Sequence, residues 1–364
     1  MSQRWWGVGL IVVLGLVWYA LDERPQEATG GAGPAAVPLR TEMQVAPDAR
    51  GMGESRELQA NAKATDAVPA APAAAAPAPA ASQAKPAVES DAIQHALALR
   101  ASGDQAGSVA ALKGVIQNAK TLQEGARAAF FLAPLAGDPA LHRQYLSTAL
   151  EAGVVYAEEY EHVGEQLRVL NQRPADSLHK LIASETYTVA SGDSLWKLCN
   201  RTIPDKFHVS PEVGLVRVVN GLGAGAPSKG LVLRIPTQTL TVRVDCTQHG
   251  LVAWLGDVAL AAYRVGLGRD DRTPRRTFTV EVKQENPVWF FNGKTVPFGD
   301  PENILGTRWM GFDKQAGATG FGIHGTTLPD SIGKNESMGC VRMRNAEVEE
   351  LFDLVARGTR VTIS

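Results

Sequence analysis

The sequence predicts a multidomain chain in which an all-α helical domain and a small α+β module precede a mostly-β domain. Residues 91–184 place apolar side chains at helical spacing, whereas residues 240–291 alternate apolar and polar side chains between glycine-containing turns. A third observation is an uncharged apolar segment close to the N-terminus. With 364 residues, the chain is long enough for two or three domains.

The composition argues against two classes of function. The 36 Lys and Arg against 38 Asp and Glu give a formal net charge of −2, so we expect no nucleic-acid partner. The seven histidines show no metal-ligand spacing, and neither a CxxC nor an HExxH motif occurs. We therefore expect no metal and no other cofactor.

Residues 1–21 are predicted to form a transmembrane signal anchor. Residues 5–21 are apolar and uncharged, and these 17 residues reach about 25 Å as a helix, at the short end of what spans a bilayer. Arg4 keeps the N-terminus on the cytoplasmic side. A cleaved signal peptide is the alternative, although the nearest small-x-small site, residues 28–30, lies well beyond the apolar run. Residues 22–89 follow as an Ala/Pro-rich linker that cannot build a core.

Residues 90–184 are predicted to form an α-helical domain. Apolar residues recur at helical spacing in successive runs, which are interrupted at residues 102–104, residues 137–139 and Gly153. The sequence leaves open whether this domain binds an unknown protein partner or serves as a spacer.

Residues 186–236 are predicted to form a βααβ module. Asp193 or Ser194 is placed to cap a helix, and Trp196 is expected to pack into the core from the apolar face of that helix. The segments 187–189, 192–198, 220–222 and 230–236 resemble a LysM module. The resemblance implies a groove for N-acetylglucosamine-type sugars whose walls are Gly192, Asp193, Ser194 and Leu195 on one side and Asn220, Gly221 and Leu222 on the other.

Residues 238–364 are predicted to form the mostly-β domain with a small helical cover. Alternation over residues 240–246 and 251–255, around a turn at 247–250, indicates a hairpin. Further strands are expected at residues 258–267, 276–282, 288–291 and 361–363. An amphipathic helix is expected over residues 345–357, with Val348, Leu351, Phe352 and Val355 on one side.

The chemistry is concentrated in two glycine-containing segments of this domain. His324 lies in Gly322-Ile323-His324-Gly325, and Cys340 lies 16 positions later (340 − 324) in Ser337-Met338-Gly339-Cys340. Residues 327–336 between them have the composition of a loop over a site. Because the thiolate is the reactive form of cysteine and an imidazole base generates it, the pair predicts a cysteine nucleophile, Cys340, with His324 as its general base and acid.

These segments resemble the signature of the L,D-transpeptidase (YkuD-type) family, which is His-Gly, a spacer, and Ser-His-Gly-Cys before an apolar residue and Asn or Arg. The resemblance runs from about residue 240 to 364 and includes residues 273–274, 286–289, 301–306 and 308–309. Met338 stands where the family usually has a second histidine, which leaves His324 as the candidate base. Arg276 stands where a glycine is usual.

The resemblance implies a peptidoglycan L,D-transpeptidase of the bacterial cell envelope. Cys340 would attack the diamino acid carbonyl of a stem tetrapeptide, release D-Ala and pass the acyl group to an amine of a second stem. Water, a protein lysine or a free D-amino acid as acceptor, and a non-catalytic wall-binding scaffold, are the alternatives. The anchor would hold the protein in the inner membrane by a single span, with the C-terminal domains on the periplasmic side.

The remaining site residues lie close to the cysteine. Backbone N–H groups of Met338, Gly339 and Cys340 are expected to stabilise the oxyanion. Arg342 is placed to hold a stem carboxylate, or else forms a salt bridge in the cleft wall. Ser337 either hydrogen-bonds in the site or terminates the loop, and a backbone carbonyl near Gly325 is expected to orient the histidine. Cys199 and Cys246 either pair or remain two buried thiols.

Overall fold

The computed structural model describes residues 89–172, 176–291 and 293–364. The predicted anchor, residues 1–21, and the predicted linker up to residue 88 lie outside the described residues. Within the described ranges, none of the helices has both the length and the apolar character that crossing a bilayer requires.

The first part of the described chain is helical. Its helices are α1 (Asp91–Ala101), α2 (Gln105–Asn118), α3 (Leu122–Leu132), α4 (Pro139–Glu151), α5 (Tyr160–Asn171) and the short α6 (Asp176–His179), with 3-10 turns at Ala133–Leu135 and Ala157–Glu159. Three of the helices begin where the sequence supplies a capping side chain. Asp104, Thr121 and Asp138 each accept a hydrogen bond from a backbone N–H of the first turn.

A βααβ arrangement follows, as the pattern of residues 186–236 predicted. Strand β1 (Ser184–Thr188) pairs antiparallel with β2 (Val232–Pro236). The helices between them are α7 (Leu195–Lys197), a π-helical turn (Leu198–Thr202), α8 (Ile203–Phe207) and α9 (Val213–Asn220).

Trp196 does not lie in the core of this module, and the sequence-based prediction for it was wrong. Its side chain is 62% exposed, whereas Leu195 and Leu198 are buried. Those two leucines lie three positions apart and share one helical face, and Trp196 is displaced from that face by about 100°. In this small module, the helical face that carries the two leucines is enough to complete the core, and the indole of Trp196 remains outside it.

The last part of the chain is built on an eight-stranded sheet. Its strands in spatial order are β13 (Val341–Arg342), β11 (Gly322–His324), β10 (Arg308–Phe312), β7 (Thr277–Glu285), β14 (Arg360–Ile363), β3 (Leu240–Asp245), β4 (Gly250–Leu255) and β5 (Val258–Arg264). Two small sheets accompany it: β6 (Leu267–Gly268) with β12 (Asn335–Ser337), and the hairpin β8 (Trp289–Phe291) with β9 (Lys294–Val296). Further 3-10 turns lie at Arg269–Asp271 and Pro329–Ser331.

Helix α10 (Asn345–Leu354) covers one face of the sheet, as predicted, and ends three residues earlier than the sequence indicated. The predicted apolar residues Val348, Leu351, Phe352 and Val355 are all buried in the core of the sheet. This core also takes in Leu215 and Val219 of α9, so the βααβ module is packed directly against it.

The helical region covers the other face of the sheet at β4 and β5. Val252, Trp254, Ala259 and Ala262 of these strands belong to the same buried cluster as the apolar residues of α1 to α5. The buried guanidinium of Arg143 donates a 3.0 Å hydrogen bond to the carbonyl of Ala259. The helices and the sheet therefore share one hydrophobic core.

Candidate active site

Two short parallel strands bring the predicted histidine and cysteine together. β11 ends at His324, β13 begins just after Cys340, and the register sets Ile323 opposite Val341 and His324 opposite Arg342. Because side chains alternate along a strand, the fully buried Ile323 and Val341 occupy the core face and His324 and Arg342 the opposite face. Cys340 precedes Arg342 by two residues and lines the same cavity as both.

The imidazole of His324 is held in one tautomer. Its side chain is 3% exposed, and Nδ1 lies 2.5 Å from the carbonyl oxygen of Gly325. A carbonyl can only accept, so Nδ1 carries the hydrogen and Nε2 keeps its lone pair. The prediction of an orienting backbone carbonyl near Gly325 is thus confirmed. The ring also lies against Trp309, with 5.8 Å between the ring centroids.

Burial keeps both reactive groups uncharged at neutral pH. It lowers the pKa of His324 to about 4, and the nearby charge of Arg342 acts in the same direction. Burial raises the pKa of the Cys340 thiol to about 11, although the Gly322 backbone and Arg342 partly oppose this shift. The thiol and the imidazole are therefore both neutral at rest, and a neutral imidazole is the form that acts as a base.

The turn that carries the cysteine is fixed by Ser337. Its buried hydroxyl donates a 2.7 Å hydrogen bond to the carbonyl of Cys340 and accepts one of 3.0 Å from the N–H of Gly339. Of the two roles left open by the sequence, the structure gives Ser337 hydrogen bonds that close the turn.

Gly339 is required by the shape of the same turn. Its φ of +130° lies in the region that favours glycine. A Cβ at this position would lie 2.3 Å from a ring carbon of Phe321 and 2.9 Å from the carbonyl oxygen of Arg272. Any larger residue would displace the backbone next to Cys340.

Of the three backbone N–H groups predicted as oxyanion donors, one is already hydrogen-bonded within the protein. The N–H of Gly339 is occupied by the Ser337 hydroxyl and is not available to a substrate. Among the described residues, no acceptor is found for the backbone N–H groups of Met338 and Cys340. These two donors of the predicted three are the ones that remain open.

Arg342 does not form the salt bridge that was the alternative to substrate binding. In the described part of the chain no carboxylate lies within 4.0 Å of its guanidinium, and its buried Nε has no hydrogen-bond partner. Burial lowers its pKa. A buried cation without a partner is costly, so its position favours an incoming anion.

The cavity around these residues has a volume of about 510 Å³. Aromatic side chains form much of its wall: Trp289, Phe290, Phe291, Trp309 and Phe321. Val282, Gln284, Val288, Ile304, Leu305, Thr319, Gly320, Ser337 and Met338 complete the lining. Met338, at the position of the family's second histidine, is 40% exposed.

Asn345 holds the backbone just after His324 and was not identified from the sequence. Its side-chain oxygen accepts hydrogen bonds from the N–H groups of Thr326 at 3.1 Å and Thr307 at 3.3 Å. A Cβ on Gly325 would lie 2.2 Å from that oxygen. The only sequence signal was its position at the start of a helix, where asparagine is common for a different reason.

Several of the predicted glycan-binding residues are occupied by internal contacts. Asp193 accepts hydrogen bonds from the Tyr187 hydroxyl and the Ala190 N–H, and Ser194 caps α7 through the Lys197 N–H. Asn220 joins α9 to β2 through the backbone of Arg234.

The other members of that set have structural positions as well. Leu195 is buried, Gly192 and Gly221 have positive φ, and Gly221 and Leu222 line a crevice of about 450 Å³ against α5 and α10. The residues predicted to form the two walls of the sugar groove therefore mainly have roles in the fold of the module.

Cys199 and Cys246 are unpaired in the structure. Both are buried, and burial raises the pKa of each thiol to about 11. Of the two alternatives predicted for them, the structure contains two separate buried thiols.

Comparisons with known proteins identify the family of the last part of the chain. A model of the L,D-transpeptidase catalytic domain (YkuD) matches residues 240–363. A Bacillus subtilis protein named "Putative L,D-transpeptidase YqjB" is 48% identical over 126 residues, which are 34% of this chain and 70% of that protein. A Bacillus licheniformis protein named "Putative L,D-transpeptidase YkuD" is 32% identical over 185 residues, which are 49% of this chain and 98% of that protein. On the basis of these matches, the chain belongs to the L,D-transpeptidase (YkuD) family.

Proposed function

We propose that this protein is a peptidoglycan L,D-transpeptidase that works through an acyl-enzyme on Cys340. The observation that carries the proposal is the placement of a neutral imidazole and a thiol on one face of paired strands, in a cavity that also holds the unpaired Arg342. A base, a nucleophile and an anion-binding cation are the groups that transfer of a stem-peptide acyl group requires.

In the first half-reaction, the Cys340 sulfur attacks the carbonyl carbon of the diamino acid in a stem tetrapeptide. Nε2 of His324 takes the thiol proton as the C–S bond forms, and then gives it to the nitrogen of the departing D-Ala. The C–N bond breaks and a thioester remains on Cys340. The developing oxyanion would be stabilised by the open N–H groups of Met338 and Cys340.

In the second half-reaction, an amine of another stem attacks the thioester carbonyl. His324 accepts a proton from this amine and returns it to the departing sulfur, so the enzyme is regenerated with both groups neutral. The product is a direct cross-link between two stems.

Arg342 is proposed to hold a carboxylate of the donor stem. Its guanidinium offers paired donors in a planar arrangement that matches a carboxylate, and it has no internal acid partner to displace. Met338 replaces the second histidine, so one imidazole would serve both proton transfers. A scaffold without activity would need neither this base nor an unpartnered cation.

The acceptor and the location are proposed from family resemblance. Water as acceptor would make the protein an L,D-carboxypeptidase, and a protein lysine would make it a lipoprotein-attaching enzyme. The proposed location is the bacterial envelope, on the periplasmic side of the inner membrane, with the predicted N-terminal segment as anchor.

The LysM-like module is proposed to bind peptidoglycan strands. The βααβ order of the module supports this. The exposed indole of Trp196 adds an apolar surface on which a sugar ring can stack.

Mass spectrometry of the full chain incubated with disaccharide-tetrapeptide, beside Cys340→Ala, tests the proposal. We expect a thioester adduct and a cross-linked dimer lacking one D-Ala, both absent in the variant. Tripeptide alone would move the assignment to a carboxypeptidase. Neither adduct nor product in the intact protein would leave the non-catalytic scaffold as the explanation.

A further inference from the structure

The outer edge of the catalytic cavity exposes an uncharged apolar rim. The rim consists of Val282, Val288, Phe290, Phe291 and Met338, all of which line the cavity and are at least 36% exposed. Phe290 is 72% exposed. Scattered surface apolar residues need no explanation, but a contiguous set at the mouth of a reactive cavity marks a binding surface.

The rim is held firmly by the β8–β9 hairpin. Trp289 stacks on Phe291 with 4.7 Å between ring centroids and 12° between the ring planes. The buried side-chain nitrogen of Asn303 donates to the carbonyls of Pro287, Val296 and Pro297 at 2.9 to 3.1 Å. Both ends of the hairpin are therefore fixed to one residue, and the rim is presented in a defined orientation.

Charge divides the cavity into an inner and an outer part. Among the described residues that line it, Arg342 is the only one with a permanent charge, and it lies beside Cys340 on the inner strands. The carboxylates of a stem peptide would therefore be drawn inward toward Arg342. The rim suits the part of the substrate that carries no charge.

The volume of the cavity also separates an inner part for the peptide from an outer part for the uncharged sugar. A cavity of about 510 Å³ is in the range that encloses a ligand of drug size, which corresponds to the reacting end of a stem rather than a whole disaccharide-peptide. The sugar attached to the donor peptide must then lie outside the cavity, across its edge. N-acetylated sugar rings are uncharged and present C–H faces that pack against aromatic rings.

We propose that the rim on and beside the β8–β9 hairpin is a binding subsite for the N-acetylated sugar of the donor stem. This inference rests on the proposed transpeptidase function, and it concerns a surface separate from the LysM-like module. It makes Phe290 a specificity-determining residue that distinguishes a glycan-linked stem from a free peptide.

The test compares two donors, disaccharide-tetrapeptide and free tetrapeptide, in the full chain. The rate of thioester formation on Cys340 at sub-saturating donor is followed by mass spectrometry. The intact protein should prefer the disaccharide donor by at least about fivefold, since a truncated hot-spot contact typically changes affinity by that factor or more. Phe290→Ser should bring the ratio of the two rates close to one.

Phe298→Ser is the matched control. Phe298 is also an exposed phenylalanine, at 45%, and follows β9, but it does not line the cavity. This variant should keep the ratio of the intact protein. Equal rates with the two donors in the intact protein, or a ratio unchanged by Phe290→Ser, would overturn the inference and leave the transpeptidase proposal standing.

Two further outcomes are informative. If neither donor forms a thioester, the proposed function fails and the subsite fails with it. If light scattering shows a dimer that Phe290→Ser converts to a monomer, with no change in donor preference, the rim is an interface between two copies and the sugar subsite is refuted.

Discussion

The hydroxyl of Ser337 accepts a 3.0 Å hydrogen bond from the N–H of Gly339, and this contact fixes the shape of the turn that carries Cys340. The same hydroxyl donates to the carbonyl of Cys340, so one side chain fixes two backbone groups on either side of the reactive residue. The bond also removes the Gly339 N–H from the set of oxyanion donors. One side chain thus decides which backbone donors remain open to a substrate.

Ser337→Ala should slow acylation of Cys340 by about five- to thirtyfold. Loss of the two bonds leaves buried backbone groups without partners and releases the turn, at a cost of about 1–2 kcal/mol. Single-turnover thioester formation measures the rate. Ser331→Ala is the control, because Ser331 is equally buried in the same loop but bonds only to the carbonyl of Leu328. Equal rates in the two variants would show that the Ser337 bonds do not position the nucleophile.

Gly339→Ala should abolish thioester formation. The added Cβ meets the Phe321 ring at 2.3 Å and requires a φ of +130° that alanine rarely adopts. Gly317→Ala is the matched control. Gly317 also has a positive φ, of +71°, but a Cβ there meets nothing within 4 Å, so we expect a loss of only about 1 kcal/mol of stability and retention of activity. An active Gly339→Ala enzyme would contradict the described turn.

The stability of the protein should fall with acid through the buried His324. Its folded pKa is about 4, below the ordinary value of 6.5, so between these pH values the unfolded chain binds a proton that the folded chain does not. The free energy of unfolding therefore decreases as pH falls from 6.5 to 4, by up to about 3 kcal/mol from this residue.

Urea unfolding of the intact protein and of His324→Gln, between pH 7.5 and 4, isolates this contribution. The variant should lose less stability across the window, because its side chain does not titrate. The pKa of His249 is also lowered by burial. This residue is present in both proteins, so its contribution to the pH dependence of stability cancels when the two curves are subtracted. Parallel stability curves would show that His324 is not held neutral by the fold.

Trp254→Ala should destabilise the helices and the sheet together. Trp254 is 1% exposed and lies in the core shared by both, so its truncation should cost about 3–5 kcal/mol. Far-UV and near-UV circular dichroism should report one transition at a lowered midpoint. Trp196→Ala, which truncates a tryptophan that is 62% exposed, should stay within about 0.5 kcal/mol of the intact protein. Two separate transitions in Trp254→Ala would mean that the helical region folds independently.

The sequence was most informative where a feature depends on neighbours in the chain. His324 and Cys340 were predicted because a glycine-flanked histidine and a glycine-turn cysteine are local patterns, and β11 and β13 place them side by side. The helices of residues 91–171 were predicted because capping residues and apolar spacing act within a few turns.

What the sequence did not predict depends on contacts between distant segments. The Gly339 N–H is lost as a donor because of the hydrogen bond to the Ser337 hydroxyl. The support from Asn345 joins the start of α10 to the segments at Thr307 and Thr326. The sequence-based prediction for Trp196 was wrong because a large apolar residue in a helix is usually buried. In this small module the core is complete without the indole, which is exposed. No periodicity indicates that the helical region and the sheet share one core.

That shared core also constrains the order of events when the chain is made. Synthesis proceeds from the N-terminus, so the residues of α1 to α5 leave the ribosome before β4 and β5, which complete their hydrophobic cluster. Until residues 250–264 follow, the inward faces of these helices have no sheet to cover them. These faces therefore stay uncovered by the sheet while about 80 further residues are made, which takes about 4 to 16 seconds at the usual rates of translation.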